Sequence, residues 1–417
     1  MAETPGAAES PLAAAIDRLA AQVEPEVIAW RRDVHQHPEL SNREFRTAQL
    51  VADQLKSFGL EVQTGVAHTG VVGILRGTQD RPVVALRADM DALPVTEALD
   101  LPFASKEKAL YNGKETGVMH ACGHDAHTAI LLGAAKIMSQ LRDQIPGTVK
   151  FIFQPAEEGA PEGEEGGAAL MIKQGVLENP KPDAIFGLHT RVYPTGTISY
   201  RPGPAMASSD TLSITIHGRQ THGARPWDGV DPIVAAAQVI MGLQTVVSRQ
   251  TDLTESPAVV TIGIIRGGVR SNIIPDEVEM TGTIRTLDEK MRDVIHMQVK
   301  RTVIHIAESA GATADVRINK GYPVTVNDPE LTARMVPVFE KIAGKEKVSI
   351  APAATGAEDF SYYGQQIPGL YFFLGVTPPD QDWTKAPVNH SPLFFVDENA
   401  LITGVRALAQ VAVEYMR

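Results

Sequence analysis

The amino-acid sequence predicts an α/β protein in which a mainly parallel, helix-covered sheet is interrupted by a smaller α+β domain. Short apolar strand patterns alternate with helical patterns in the first half of the chain. The order strand-helix-strand-strand-helix-strand follows between residues 206 and 318, and the first pattern then returns. We therefore expect a main domain formed by residues 1–205 and 319–417, with residues 206–318 as an inserted ferredoxin-like (βαββαβ) domain. A length of 417 residues, long for one hydrophobic core, agrees with this division.

The main domain begins with helices and continues with strands. Apolar residues recur at helical spacing from residue 12 to about residue 60, and His37-Pro38 divides this stretch into two helices. Runs rich in β-branched or apolar residues predict strands at 71–75, 83–86, 149–153 and 184–188, with a helix at 126–141. Helices at 329–343 and 396–416 and a strand at 369–376 complete the domain.

The insert has its own pattern. Its predicted strands are residues 212–218, 258–268, 277–286 and 313–319, and its predicted helices are residues 231–250 and 288–309. Asp231-Pro232 at the start of the first helix is typical of a helix N-terminus.

Composition limits the classes of partner. The chain is 43% hydrophobic and 21% charged, with a formal net charge of -12, which argues against nucleic acid as a partner. No stretch approaches about 18 uninterrupted apolar residues, the length that indicates a membrane span. The start has neither a basic region nor an apolar signal core, so we expect a soluble, cytoplasmic protein that acts on a small molecule. The alternative is a periplasmic or secreted protein whose leader peptide has been removed.

Candidate metal ligands follow the predicted strands of the main domain. In open α/β sheets, ligands bind at the carboxyl edge of the strands, where segments far apart in sequence converge. The acids and histidines that follow a predicted strand are Asp89, Asp91, Glu157, Glu158, His189 and His390.

Cys122, the single cysteine, and His124 lie immediately before a predicted helix. A thiolate and an imidazole two residues apart are typical metal ligands. The alternative is that Cys122 is a small buried apolar residue and His124 a capping or core histidine. The acids and histidines expected at the same edge favour the metal site.

Glu157 and Glu158 are adjacent in an extended loop and point in different directions, so one can bind a metal while the other transfers a proton. The alternative is a solvated acidic loop. We accept that alternative for the glutamates that follow, which are Glu162, Glu164 and Glu165.

Several motifs together resemble the M20 metallopeptidase family, and within it the aminoacylase-like amidohydrolases, which include hippurate hydrolases and indole-3-acetyl-amino-acid hydrolases. The blocks occur in family order from residue 31 to beyond residue 390. They are RRDVHQHPEL, ALRADMDALP, MHACGHDAHTAILLGAA, FQPAEEG, GLHT, GRQTHGARPWDGVDP, SNIIPDEVEMTGTIRT, TGAEDFSYY and NHSP.

The resemblance implies a centre of two divalent metal ions and a general base. The implied ligands are Cys122, His124, Glu158, His189 and His390. Glu157 would activate the attacking water and later protonate the leaving amine. Sulfur, imidazole and carboxylate ligands together favour Zn or Mn, with Co or Ni as alternatives, over Mg or Ca.

The resemblance also gives the insert a role as a lid and dimerisation surface. It implies that His222 stabilises the oxyanion, in its own site or in that of a partner subunit, and that Asn272 and Arg285 hold the substrate carboxylate. Relatives often have Gly-Gly-His-Ala-Ala where this chain has Gln220-Thr221-His222-Gly223-Ala224, so lid specificity is expected to differ. We expect a homodimer, with a tetramer as the alternative.

Other residues near the motifs receive supporting roles. Asp89 and Asp91 lie where relatives usually have His-x-Asp, and we expect them to orient a ligand histidine rather than bind metal. His120 and His127 have no implied ligand role, and His127 is interpreted as structural support.

The predicted function is hydrolysis of the amide bond of N-acyl amino acids, with aromatic acyl groups favoured by the resemblance. The products would be a carboxylic acid and a free amino acid. One alternative is a dipeptidase or carboxypeptidase with the same centre. Another is a metal-binding or solute-binding protein without catalysis, which the presence of Glu157 beside five ligand-type residues disfavours.

Overall fold

The computed structural model describes residues 11–417, so most of the alanine-rich start of the chain lies outside the described residues. The helices are α1 (Pro11–Gln36), α2 (Phe45–Ser57), α3 (His124–Gln140), α4 (Gly167–Lys173), α5 (Pro232–Gln250), α6 (Glu289–Ser309), α7 (Pro329–Ala343), α8 (Ser361–Gly364) and α9 (Leu401–Met416). The strands are β1 (Glu61–Val66), β2 (Gly70–Arg76), β3 (Val83–Asp89), β4 (Lys108–Tyr111), β5 (Lys114–Gly117), β6 (Thr148–Gln154), β7 (Ala184–Pro194), β8 (Ile198–Tyr200), β9 (Gly203–Met206), β10 (Asp210–His217), β11 (Thr221–His222), β12 (Ala258–Gly267), β13 (Ile273–Ile274), β14 (Glu277–Thr286), β15 (Thr313–Lys320), β16 (Thr325–Asn327), β17 (Val348–Ile350) and β18 (Gly369–Thr377).

The described residues divide into two compact units. The first contains the chain up to Gly203 together with Asn327–Ala351 and Tyr362–Arg417, and the second contains Pro204–Val326 and Pro352–Ser361. The second unit is therefore wider than the predicted insert and includes a short segment from later in the chain. The roles of lid and dimerisation surface stay predictions.

The first unit is built on a sheet with the strand order β1-β2-β6-β3-β7-β18-β8-β17. The four central strands, β6, β3, β7 and β18, are parallel to one another, whereas β1, β2 and β8 join their inner neighbours in antiparallel pairs. This confirms the predicted mainly parallel sheet. Strands β3, β6 and β18 are buried along their whole length, which explains their nearly continuous apolar sequences.

Helix α3 lies in the core of the first unit, packed between α1 and α9. Its apolar residues surround the helix rather than forming one stripe, as expected for a fully buried helix. Gly133 allows the close packing, because a Cβ there would come within 2.7 Å of Val27 and 2.9 Å of Val405. The packing of α3 in the core therefore fixes the position of His124, the first residue of the helix.

The second unit contains a four-stranded antiparallel sheet in the order β12-β14-β10-β15. Along the chain its elements follow as β10-α5-β12-β14-α6-β15, which is the ferredoxin-like order. Among the described residues, α5 alone has the length and apolar composition of a membrane-crossing helix. Its buried face, which includes Val239 and Leu243, belongs to the hydrophobic core of this unit.

Candidate metal centre

The carboxyl edge of the central sheet brings together the side chains that the sequence predicted to meet there. Strand β3 ends at Asp89, and Glu157 and Glu158 follow β6. His390 lies in the loop after β18. His189 lies inside β7 rather than just beyond its end, because the strand continues past the predicted boundary. The convergence is a property of the sheet, since β6, β3, β7 and β18 are adjacent parallel strands although they come from distant parts of the chain.

Two groups of three side chains share the thiol of Cys122. The ligand atoms of Cys122, His124 and His189 all lie within 4.8 Å of one another, and so do those of Cys122, Glu158 and His390. The Cys122 Sγ atom is 3.3 Å from His189 Nε2, and Glu158 Oε1 is 3.1 Å from His390 Nε2. Each group would provide three ligands for a cation, and Cys122 belongs to both groups.

Backbone carbonyls fix the orientation of two histidines in this cluster. The Nδ1–H of His124 donates to the carbonyl oxygen of Asp91 at 2.8 Å, and that of His189 donates to the carbonyl oxygen of Thr190 at 2.7 Å. Because a carbonyl only accepts, the Nε2 atom of each neutral ring carries a lone pair. The Nε2 atom of His124 is buried and has no hydrogen-bond partner within residues 11–417. These residues therefore fit a metal cation.

The local charges also favour a cation. Burial lowers the pKa of His124, but Asp89 and Asp91 more than offset this effect and raise it to about 10. Burial and the nearby Glu158 carboxylate raise the pKa of the Cys122 thiol well above its ordinary value. A divalent cation would replace the proton on His124, stabilise the thiolate and reduce the repulsion between the carboxylates.

Asp91 contacts both His124 and the loop that carries Glu157 and Glu158. One carboxylate oxygen of Asp91 lies 3.2 Å from His124 Nδ1. The carboxylate also accepts hydrogen bonds from the backbone N–H groups of Glu157 at 3.1 Å and Glu158 at 3.0 Å, and from the Ser41 hydroxyl at 2.8 Å. Asp91 therefore positions a candidate ligand and the loop of the two glutamates, as a group that orients a histidine should.

Asp89 is held in a buried ion-pair network. It accepts a hydrogen bond from His127 Nδ1 at 2.6 Å and from Arg87 at 2.7 Å. Burial opposes its ionisation, but His124, His127 and Arg87 keep the pKa of Asp89 well below its ordinary value. His127 Nε2 accepts the Thr190 N–H at 2.9 Å, so both of its ring nitrogens are engaged. This agrees with a supporting role for His127.

Glu44, which the sequence did not indicate, supports the loop that carries Glu157 and Glu158. It is fully buried and accepts hydrogen bonds from the backbone N–H groups of Asn42 at 3.1 Å and Ala156 at 2.9 Å, and from the Thr69 hydroxyl at 2.6 Å. Ala156 has a φ of 53°, so the chain turns sharply just before Glu157. No local pattern marks Glu44, because Ala156 is 112 residues away in sequence.

The loop that carries His390 is tied directly to the Cys122 segment. The His390 N–H donates to the carbonyl oxygen of Ala121 at 2.7 Å, and the Asn389 side chain donates to that of Cys122 at 3.1 Å. Gly123, with a φ of 91°, allows the same segment to lie close to β7, because a Cβ there would lie 2.2 Å from Thr190 Oγ1. The sequence patterns did not single out Asn389, although it belongs to the NHSP motif that also contains His390.

Two further histidines near the motifs lie in buried positions. His120 has no hydrogen bond at either ring nitrogen within the described chain, and burial lowers its pKa to about 3. His35 bridges Asp125 at 2.8 Å and Glu97 at 3.1 Å, and Arg31 also binds Asp125 at 2.8 Å. This ion-pair cluster supports the first turn of α3.

The predicted residues of the insert lie in the second unit. His222 is exposed in β11, which pairs with β13, and its Nδ1 accepts the Ala224 N–H at 3.0 Å. The carbonyl oxygen of Asn272, just before β13, accepts the Gly223 N–H at 2.8 Å. Arg285 lies in β14, outside this strand pair. The structure therefore places His222 and Asn272 on adjoining segments and Arg285 in the main sheet of the unit.

A parallel α/β sheet with a cysteine, histidines and carboxylates at its carboxyl edge is an arrangement that a metal-dependent hydrolase requires. Comparison with known proteins gives the family. The chain belongs to peptidase family M20/M25/M40, because the sequence model of that family matches residues 85–414.

Alignments with named relatives cover nearly the whole chain. Thermostable carboxypeptidase 2 of Saccharolobus solfataricus is 42% identical, over 94% of this chain and 96% of its own length. N-acetyl-L-cysteine deacetylase of Bacillus subtilis is 39% identical, over 91% of this chain and 86% of its own length.

A solved structure gives the same fold. The Bacillus subtilis YXEP protein, described as a dinuclear metal binding peptidase from the M20 family, matches with a TM-score of 0.79 and 36% identity, over 95% of this chain and 99% of that one. The chain is thus a metal-dependent amidohydrolase of this family.

Proposed function

We propose that this protein hydrolyses the amide bond of N-acyl amino acids with two divalent transition-metal ions, releasing a carboxylic acid and a free amino acid. The observation that carries the proposal is the pair of ligand groups that share Cys122, with Glu157 beside them. The carboxylate of Glu157 lies 3.9 Å from His124 Nε2, at the edge of the cluster.

In this proposal one ion would be held by Cys122, His124 and His189, and the other by Cys122, Glu158 and His390. Zn and Mn suit these ligands best, with Co and Ni as alternatives. Bound divalent ions would supply an acidified water and a polarised carbonyl.

The residues of the chain then transfer the proton and orient the substrate. Glu157 accepts the proton of the attacking water and donates it to the leaving amine. His222 can donate from Nε2 to the developing oxyanion, because its Nδ1 already accepts a backbone N–H. Asn272 and Arg285 are proposed to bind the substrate carboxylate, and the biological unit is proposed to be a homodimer.

The second candidate is a carboxypeptidase or dipeptidase reaction at the same centre. The 42% identity to thermostable carboxypeptidase 2 favours it. The two candidates differ in what the reactive amide carries on its carbonyl side, a simple acyl group or an amino acid with a free amine.

Metal removal followed by a substrate panel tests the proposal. Purified protein is treated with a strong chelator, reconstituted separately with Zn, Mn, Co or Ni, and assayed on matched N-acyl amino acids and free dipeptides. We expect two ions per chain, no activity without metal, and preference for the N-acyl compounds. Full activity of metal-free protein would refute the mechanism, and turnover of dipeptides alone would select the second candidate.

A further inference from the structure

A pocket of about 420 Å³ adjoins the candidate metal centre within the first unit. Its walls come from four segments, within residues 40–43, 92–94, 110–112 and 158–162. Glu158 belongs both to the pocket wall and to one of the proposed ligand groups. A group bound in the pocket would therefore extend away from the reacting centre.

Backbone pairing holds the walls of the pocket in place. Leu40 forms a β-bridge with Ala92, and Leu93 forms one with Met119. The third wall is the hairpin β4–β5, which turns at Asn112-Gly113 with φ angles of 50° and 77°. Two positive φ values are typical of the type I′ turn that matches strand twist. Backbone hydrogen bonds therefore hold these walls of the pocket in fixed positions.

The hairpin presents large apolar side chains to solvent at this pocket. Leu110 is 74% exposed and Tyr111 is 46% exposed, and both line the pocket together with Leu40, Leu93 and Pro94. Covering such side chains with an apolar ligand removes apolar surface from water and favours binding. The volume lies within the range of sites for drug-sized ligands, about 300–1,000 Å³.

The charges of the pocket exclude the carboxylate end of a substrate. Arg43 is the basic residue of its wall, and its guanidinium binds Glu164 at 2.5 Å and 3.1 Å. The acidic residues of the wall are Glu158 and Glu162. A carboxylate placed here would meet carboxylates and a guanidinium that is already paired. The pocket therefore suits the uncharged end of an N-acyl amino acid.

We infer that this pocket binds the acyl group of the substrate and that Leu110 and Tyr111 make it selective for bulky apolar acyl groups. The inference rests on the proposed function and adds the residues that would select its acyl group. An acetyl group would leave most of the pocket unfilled, whereas an aromatic acyl group would contact the hairpin.

Acyl-chain selectivity of hairpin variants tests the inference. Metal-loaded wild type, Leu110→Ala and Tyr111→Ala are assayed on N-acetyl, N-benzoyl and N-succinyl forms of one amino acid. We expect kcat/KM for the benzoyl substrate to fall roughly ten-fold in each variant, while the acetyl substrate stays within about two-fold. Ile350→Ala, which truncates an exposed apolar residue elsewhere in this unit, is the matched control.

A variant that introduces a positive charge separates selectivity from loss of folding. Leu110→Lys places an ammonium at the pocket and should raise kcat/KM for the N-succinyl substrate relative to the benzoyl one. Unchanged benzoyl-to-acetyl and benzoyl-to-succinyl ratios in these variants would overturn the pocket assignment. If wild type hydrolyses none of the N-acyl substrates, the proposed function fails instead, so the two failures are distinguishable.

Discussion

Glu44 offers a sharp test of how the fold positions the catalytic loop. Its buried carboxylate accepts three hydrogen bonds, two from backbone N–H groups and one from the Thr69 hydroxyl. Glu44→Ala leaves three buried donors without an acceptor. At about 1–3 kcal/mol for each donor, partly relieved by water in the new cavity, we expect a loss of roughly 3–6 kcal/mol in the free energy of unfolding.

Glu44→Gln is the matched substitution that keeps the shape of the side chain. The carboxamide oxygen can accept both backbone N–H groups, and the amide nitrogen can donate to the Thr69 hydroxyl oxygen. We therefore expect Glu44→Gln to stay within about 1 kcal/mol of wild type near pH 5, where the carboxyl group of Glu44 is protonated in the folded state. Glu346→Gln, at an exposed glutamate of the same unit, is the control for loss of charge.

The pH dependence gives a second, independent readout. Burial and the nearby Asp91 raise the pKa of Glu44 to about 8, so the folded state retains a proton that the unfolded chain releases near pH 4.5. Stability from this group is fully present below pH 4.5 and is lost as the pH rises through 8, at up to about 1.4 kcal/mol per pH unit. Glutamine carries no such proton, so Glu44→Gln should gain on wild type as the pH rises from 5 to 8.

Urea unfolding of chelator-treated proteins between pH 5 and 8 measures these differences, since bound metal would alter the local charges. The same variants, loaded with metal, are then assayed for turnover. We expect Glu44→Ala to lose activity as well, because the loop of Glu157 loses its support. A Glu44→Ala variant as stable as wild type, or a difference between Gln and Glu that does not change with pH, would refute the reasoning.

Three other predictions concern the cluster and the second unit. Glu157→Gln should keep both metal ions, measured by elemental analysis, while kcat falls roughly 10²–10⁴-fold; near-normal turnover would remove this residue from its proton-transfer role. Cys122→Ala should lose both ions, whereas His390→Ala should lose one, because Cys122 alone belongs to both ligand groups; equal metal content in the two variants would argue against a shared thiol. Arg292→Ala should destabilise the second unit by about 3–5 kcal/mol, since it leaves the buried Asp210 carboxylate without its guanidinium partner, and metal content should stay unchanged; an unfolding curve like that of wild type would contradict this.

Sequence patterns predicted the elements that depend on local spacing. The alternation of strands and helices predicted the parallel sheet, and the order of elements after residue 206 predicted the ferredoxin-like arrangement seen in the second unit. The Asn112-Gly113 pair was a readable signal for the hairpin β4–β5 that the sequence reasoning did not use. Residue chemistry, together with position after a strand or before α3, selected the residues that could meet at one site, and the family resemblance implied which five of them bind metal.

Long-range contacts decided what local spacing could not. The sequence alone determined which residue types stand at strand ends and at the start of α3, because a period of 2 or 3.6 and the chemistry of each side chain are local properties. Only the tertiary structure decided that Cys122 joins two ligand groups, that His127 binds Asp89, and that Glu44 holds a loop 112 residues away. These contacts form because the sheet and the core bring distant segments together. A local sequence pattern cannot show which distant segments will meet.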